Sequence, residues 1–167
     1  MKKLFQLQSV VLLIGTIFAW YTVYVDFARF YAVEGTLFKV QDCIIPNPVT
    51  TPCFYGAFAF LIGFIWSLYI IKFLDDKKKI QQKRLVWLLI ASTLFAWGNF
   101  SYTLYKFWLS HGEPTIGCSG QLVTNPFITP CFIGAAIFLV ALIVGWWIKR
   151  ILGKNFTYKI QNQNPTI

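Results

Sequence analysis

At 167 residues, 57% of them apolar and only 13% charged, the chain has the length of one domain but too little charge for a water-facing surface. Its 17 Phe, 8 Tyr and 7 Trp exceed what a core of this size can hide, which excludes disorder and argues against a soluble globule. The net charge of +9 lies in short clusters between long apolar runs, the pattern of membrane topology rather than of a nucleic-acid surface.

Four stretches, residues 4–25, 54–74, 85–105 and 131–148, are nearly free of charge. Each has about the 20 residues that a helix needs to cross a hydrocarbon core about 30 Å thick. The first follows Lys2 and Lys3, a start that also fits a signal peptide, but the bulky segment from Tyr21 to Phe27 offers no small-x-small cleavage site. Between the second and third lie Lys72, Lys77, Lys78, Lys79, Lys83 and Arg84, expected as a short turn drawn to anionic lipid. After the fourth come Lys149, Arg150, Lys154 and Lys159, then a polar tail expected to be mobile. These clusters hold 12 of the 15 basic residues, so both termini are predicted to be cytoplasmic. Short outer loops without a usable Asn-x-Ser/Thr acceptor fit a prokaryotic plasma (inner) membrane.

The chain repeats itself. The segment from Asn47 to Ala57 recurs from Asn125 to Ala135, identical at eight of eleven positions with an offset of 78. Phe18-Ala19-Trp20 recurs as Phe95-Ala96-Trp97, and Arg29-Phe30-Tyr31 as Lys106-Phe107-Trp108, both at an offset of 77. The predicted fold is all-α: two tandem helical hairpins, residues 1–78 and 79–154, in a parallel internal repeat forming a pseudo-twofold four-helix bundle, with residues 155–167 as a cytoplasmic tail. Gly56, Gly63, Gly134 and Gly145 are expected at helix contacts, as are Gly15, Ser92 and Thr93, because small residues let membrane helices approach.

Cys43, Cys53, Cys118 and Cys131 all fall in or beside the two outer connections, where disulfides persist in an oxidising compartment. The repeat favours Cys43 with Cys53 and Cys118 with Cys131, closing loops of 11 and 14 residues. Each bridge is worth about 3 kcal/mol. Crossed pairings, which would staple the two copies together, remain open. In the repeated Asn-Pro-x-x-Thr-Pro-Cys, the residue before each first proline should be extended, Thr51 and Thr129 suit the N-cap, and Pro52 and Pro130 the first helical position. Cys53 and Cys131 then lie in a first helical turn, where the positive helix end favours thiolate and redox chemistry. Cys43 and Cys118 would be the resolving thiols. The architecture resembles four-span thiol oxidoreductases of the disulfide-bond-formation and vitamin K epoxide reductase type, which work with a quinone. Those carry a Cys-x-x-Cys centre, whereas the spacings here are Cys-x9-Cys and Cys-x12-Cys.

Arg29 and Lys106, each followed by two aromatics, suit a ligand site in which the cation holds a quinone carbonyl or an anionic head group beside Phe30, Tyr31, Phe107 and Trp108. Snorkelling into the interface is the plainer role for both. His111 stands alone, which argues against a metal site, and no span carries an ionisable residue away from its ends, which argues against a proton-coupled pump. No phosphate loop, nucleophilic triad or carboxylate pair is present. The sequence therefore points to a non-enzymatic integral membrane protein in contact with lipid, not nucleic acid. Disulfide-braced outer loops would bind a protein partner or a lipophilic ligand, as in an accessory subunit or scaffold. The alternative is a membrane thiol-disulfide oxidoreductase, possible with quinone as cofactor, using Cys53 and Cys131 to attack.

Overall fold

The computed structural model describes residues 2–37, 39, 44–72, 75–111, 113–117 and 121–163. Four long helices make up the chain: α1 (Lys2–Glu34), α2 (Pro52–Lys72), α3 (Asp75–Leu109) and α4 (Pro130–Gln163). Each is long and apolar enough to cross a membrane, and only 28–33% of each apolar window is buried inside the protein. A helix that is apolar on every side yet mostly uncovered needs lipid around it. Exposed Tyr21, Tyr24, Tyr102 and Tyr105 ring one end of the bundle and exposed Trp87, Trp146 and Trp147 the other. Amphipathic rings of this kind are enriched at the two membrane–water interfaces.

The helices outrun the stretches predicted for them. α1 continues past Val25 through Asp26 and Arg29 to Glu34, and the basic run expected as a turn forms the first turns of α3. Lys, Gln and Arg are good helix formers, so charge there ends the apolar stretch without ending the helix. α4 likewise stays helical to Gln163, through most of the segment expected as a mobile tail. What stops α1 is Gly35 at φ +70°, whose N–H donates to the Tyr31 carbonyl at 2.9 Å. That left-handed cap is one glycine adopts without a Cβ penalty.

α1 packs on α2 and α3 on α4, while α4 flanks α1 and α2 flanks α3, so the helices close a ring in which α2 and α4 barely touch. In the middle of the ring the Phe60 and Phe138 rings stack at 3.6 Å, only 9° from parallel. Gly15 makes this possible, since a Cβ there would lie 2.4 Å from the Phe60 ring. Gly63 packs on Leu12, and Gly145 on Gln8, Leu89 and Val86, as expected of small residues at helix contacts.

Nearer the N-terminal end of α1 the interior turns polar. Gln82 Nε2 donates to Gln8 Oε1 at 3.1 Å and to the Gly145 carbonyl at 3.2 Å, tying α3 to α1 and α4. Ser67 Oγ donates to Ser9 Oγ at 3.0 Å and joins α2 to α1. Interhelical hydrogen bonds of this sort hold membrane bundles where hydrophobicity alone gives little preference for one packing over another.

At the opposite end, each connection enters its helix through a short 3-10 turn, residues Pro48–Thr50 before α2 and Pro126–Ile128 before α4. The second connection also carries a two-stranded antiparallel ladder that the sequence did not announce, β1 (Thr115–Ile116) against β2 (Leu122–Val123).

Candidate functional site

The two copies of Asn-Pro-x-x-Thr-Pro-Cys build the same local structure. Asn47 (φ −65°, ψ 129°) and Asn125 (φ −139°, ψ 112°) are extended, as a residue before proline must be, and each side-chain oxygen accepts the N–H two residues on, at 3.1 and 3.0 Å. Thr51 and Thr129 are extended too, and their hydroxyls donate to the Pro48 and Pro126 carbonyls at 2.7 Å. Thr129 Oγ1 also accepts from Phe132 N at 3.4 Å, acting as the expected N-cap of α4. Helices begin at Pro52 and Pro130, where the missing N–H costs nothing. Cys53 and Cys131 are thereby fixed one residue inside the starts of α2 and α4.

The ring of helices brings the two sulfurs to 3.6 Å of each other. Cys53 carries a free thiol. Among the described residues no two sulfur atoms stand at bonding distance, which is about 2.05 Å. Cys43 and Cys118 lie outside the described residues, and with them the expected bridges Cys43–Cys53 and Cys118–Cys131.

Below the sulfurs a cavity of about 60 Å³, open at its mouth, reaches into the bundle. All four helices line it. Phe18, Ala19 and Thr22 come from α1, Phe95, Ala96 and Asn99 from α3, and the cysteines, Gly56 and Gly134 from α2 and α4, with Phe60 and Phe138 at its deeper end. Gly56 and Gly134, expected at helix contacts, instead border this space, since a Cβ on either would meet nothing within 4 Å. Among the described residues, the only polar side chains on the wall besides the sulfurs are Thr22 and Asn99, and the Asn99 amide already donates to the Phe95 carbonyl at 2.8 Å. An apolar lining with few polar groups is that of a small-molecule pocket, while the volume is well below the roughly 300–1,000 Å³ usual for one.

None of the residues expected around Arg29 and Lys106 lines the cavity. Arg29 reaches Asp26 at 3.7 Å, Phe30 is wholly buried, and Tyr31 faces outward. Lys106 sits 4.6 Å over the ring of Tyr102 rather than over Phe107 or Trp108, and Trp108 is 84% exposed. His111 is exposed at the end of α3, with φ +54°. Among the described residues no group of His, Cys, Asp and Glu gathers that could hold a metal ion.

Sequence reasoning missed Asp26. It is only 1% exposed, and it accepts from Gln121 Nε2 at 3.1 Å, so the connection ahead of α4 is pinned to α1. The spacing of Asp26 and Arg29, three residues apart on a helix, was the available signal. Glu34 plays a comparable part for the first connection, accepting from Lys39 Nζ at 2.5 Å and from the backbone N–H groups of Ile44 and Ile45.

No protein-family model, curated protein or solved structure matches the chain.

Proposed function

We propose that this protein is a multi-pass membrane protein, without catalytic chemistry of its own, that binds a small lipophilic ligand in the cavity beneath the two cysteines. Both termini and the basic start of α3 face the cytoplasm, and the connections carrying the Asn-Pro turns form an outer surface for a protein partner. The observation that carries the reading is the cavity itself: an open-mouthed, largely apolar hollow of about 60 Å³ lined by all four helices, with the stacked Phe60 and Phe138 rings at its deeper end.

The internal repeat supports the same reading. Cavity residues pair across the two copies: Phe18 with Phe95, Ala19 with Ala96, Cys53 with Cys131, Gly56 with Gly134 and Phe60 with Phe138. A duplicated hairpin related by a twofold axis along the membrane normal would put such a hollow on that axis, and the stacked Phe60 and Phe138 are equivalent residues meeting there.

Native mass spectrometry of the protein released from nanodiscs tests this, with decylubiquinone and oleic acid as separate probes. One-to-one adducts with either probe are expected, and Gly56→Leu with Gly134→Leu, which fill the space, should abolish them. Adducts equally strong in the filled variant, or none with either probe, would overturn the proposal.

A further inference from the structure

Thr22 and Asn99, the polar side chains on the cavity wall, stand at equivalent positions of the sequence repeat. They are 77 residues apart, the offset that also relates Phe18 to Phe95 and Ala19 to Ala96 on the same wall. Thr22 Oγ1 donates to the Phe18 carbonyl at 3.0 Å, and Asn99 Nδ2 donates to the Phe95 carbonyl at 2.8 Å. Each copy thus brings one polar group to the hollow and turns its donor back onto its own helix. Resting on the ligand-binding reading above, we propose that the cavity is a head-group site selective for a hydroxyl. It takes the end of a lipophilic alcohol in preference to an ether, ketone or quinone of similar shape.

The hydrogen-bond inventory decides this. A threonine hydroxyl has a single hydrogen, and that of Thr22 is engaged by Phe18. A carbonyl only accepts, so the bond to Phe95 fixes the Asn99 amide with Nδ2 toward the backbone and leaves Oδ1 without a donor. No described residue donates to either oxygen. The wall therefore offers two unmatched acceptors against one remaining N–H of the Asn99 amide, with the Cys53 thiol adding only a weak donor. A hydroxyl group meets that set, because it donates once and also accepts. An ether or a ketone brings lone pairs to lone pairs, and in a low-dielectric surrounding an acceptor left unmet is costly. Thr22 is buried, so water has little access to its oxygen.

The volume selects for a head group and not for a whole lipid. About 60 Å³ has room for roughly four to six water-sized groups. The hydroxyl and its first few carbons fill that space, and the remaining chain leaves through the open mouth. Four phenylalanines in two repeat-related pairs, Phe18 with Phe95 and Phe60 with Phe138, line the same hollow and suit those carbons.

The test is a native mass spectrometry titration of the full chain released from nanodiscs. Its two probes, farnesol and farnesyl methyl ether, differ by one methyl group, and each is dosed by its measured mole fraction in the lipid. Farnesol is expected to half-saturate the protein at about a tenfold lower mole fraction than the ether, the worth of one hydrogen bond. Thr22→Val with Asn99→Leu removes the acceptors at nearly constant volume and should bring the two probes within about twofold of each other. Both side chains bond only within their own helices, so the double variant breaks no hydrogen bond between helices. Equal binding of the two probes by the wild-type protein would overturn the hydroxyl preference while leaving the cavity a ligand site. So would a tenfold preference that survives the double variant. Binding of neither probe would overturn both readings, the hollow then holding water alone. The wild-type comparison decides the matter even where the variant fails to fold.

Discussion

Adding one methyl group at Gly15 and one at Gly56 should have opposite effects on stability. At Gly15 a Cβ would lie 2.4 Å from Phe60 Cε1 and 2.6 Å from Cδ1, so the ring must move. Retreat straight back is blocked, because its other face stacks on Phe138 at 3.6 Å. Forcing extra volume into a packed core costs about 1–3 kcal/mol. At Gly56 nothing stands within 4 Å of the new Cβ. Replacing glycine in the interior of a helix then gains roughly 0.5–1 kcal/mol through reduced backbone freedom. The two variants should differ by about 1.5–4 kcal/mol, and at roughly 2–4 °C per kcal/mol for a chain of this size their Tm values should separate by at least about 3 °C. Thermal unfolding followed by circular dichroism in one detergent measures both. Gly134→Ala should follow Gly56→Ala, since the space beside it is equally open. A Gly15→Ala protein as stable as Gly56→Ala would refute the assignment of Gly15 to a packed contact and Gly56 to the cavity wall.

Two further outcomes follow from buried or strained groups. Gln82→Leu strips Gln8 of its partner and should cost about 1–3 kcal/mol, whereas Gln8→Leu combined with Gln82→Leu should recover most of that loss. A double-mutant cycle on denaturation midpoints reads the coupling, and additive losses would contradict it. His111 occupies the left-handed region at φ +54°, a conformation that strains a side chain by roughly 1–2 kcal/mol. His111→Gly should therefore raise Tm by about 2–4 °C, and an unchanged or lower Tm would place the strain elsewhere.

The apolar stretches, the prolines that open α2 and α4 and the repeated turns were legible because each rests on a local rule: a run long enough for a bilayer, a fixed φ, a side chain within two residues of its backbone partner. Helix ends were less legible. Asp75 to Arg84 read as a turn because charge marks the end of the hydrocarbon, but charge does not break a helix. The cavity was hidden for a different reason. Gly56 and Gly134 carry the same small-residue signature as Gly63 and Gly145, and only the ring order of the helices decides which glycine meets a neighbour and which faces a void. The proximity of Cys53 to Cys131 was hidden likewise, because their separation of 78 residues gives no local clue to a 3.6 Å contact across the bundle. Asp26 escaped notice because its partner, Gln121, lies in another connection.

The unequal lengths of the helices constrain how the protein sits in its bilayer. The 21 residues of α2 span about 31 Å, just the thickness of the hydrocarbon, while the 35 of α3 span about 52 Å. A long helix usually absorbs surplus length by leaning over. Here α2, packed against both α1 and α3, has no length to spare for a lean. If the four helices span a bilayer, the bundle is expected to stand nearly upright, with the surplus of α3 as a cationic post at the level of the phospholipid head groups and beyond.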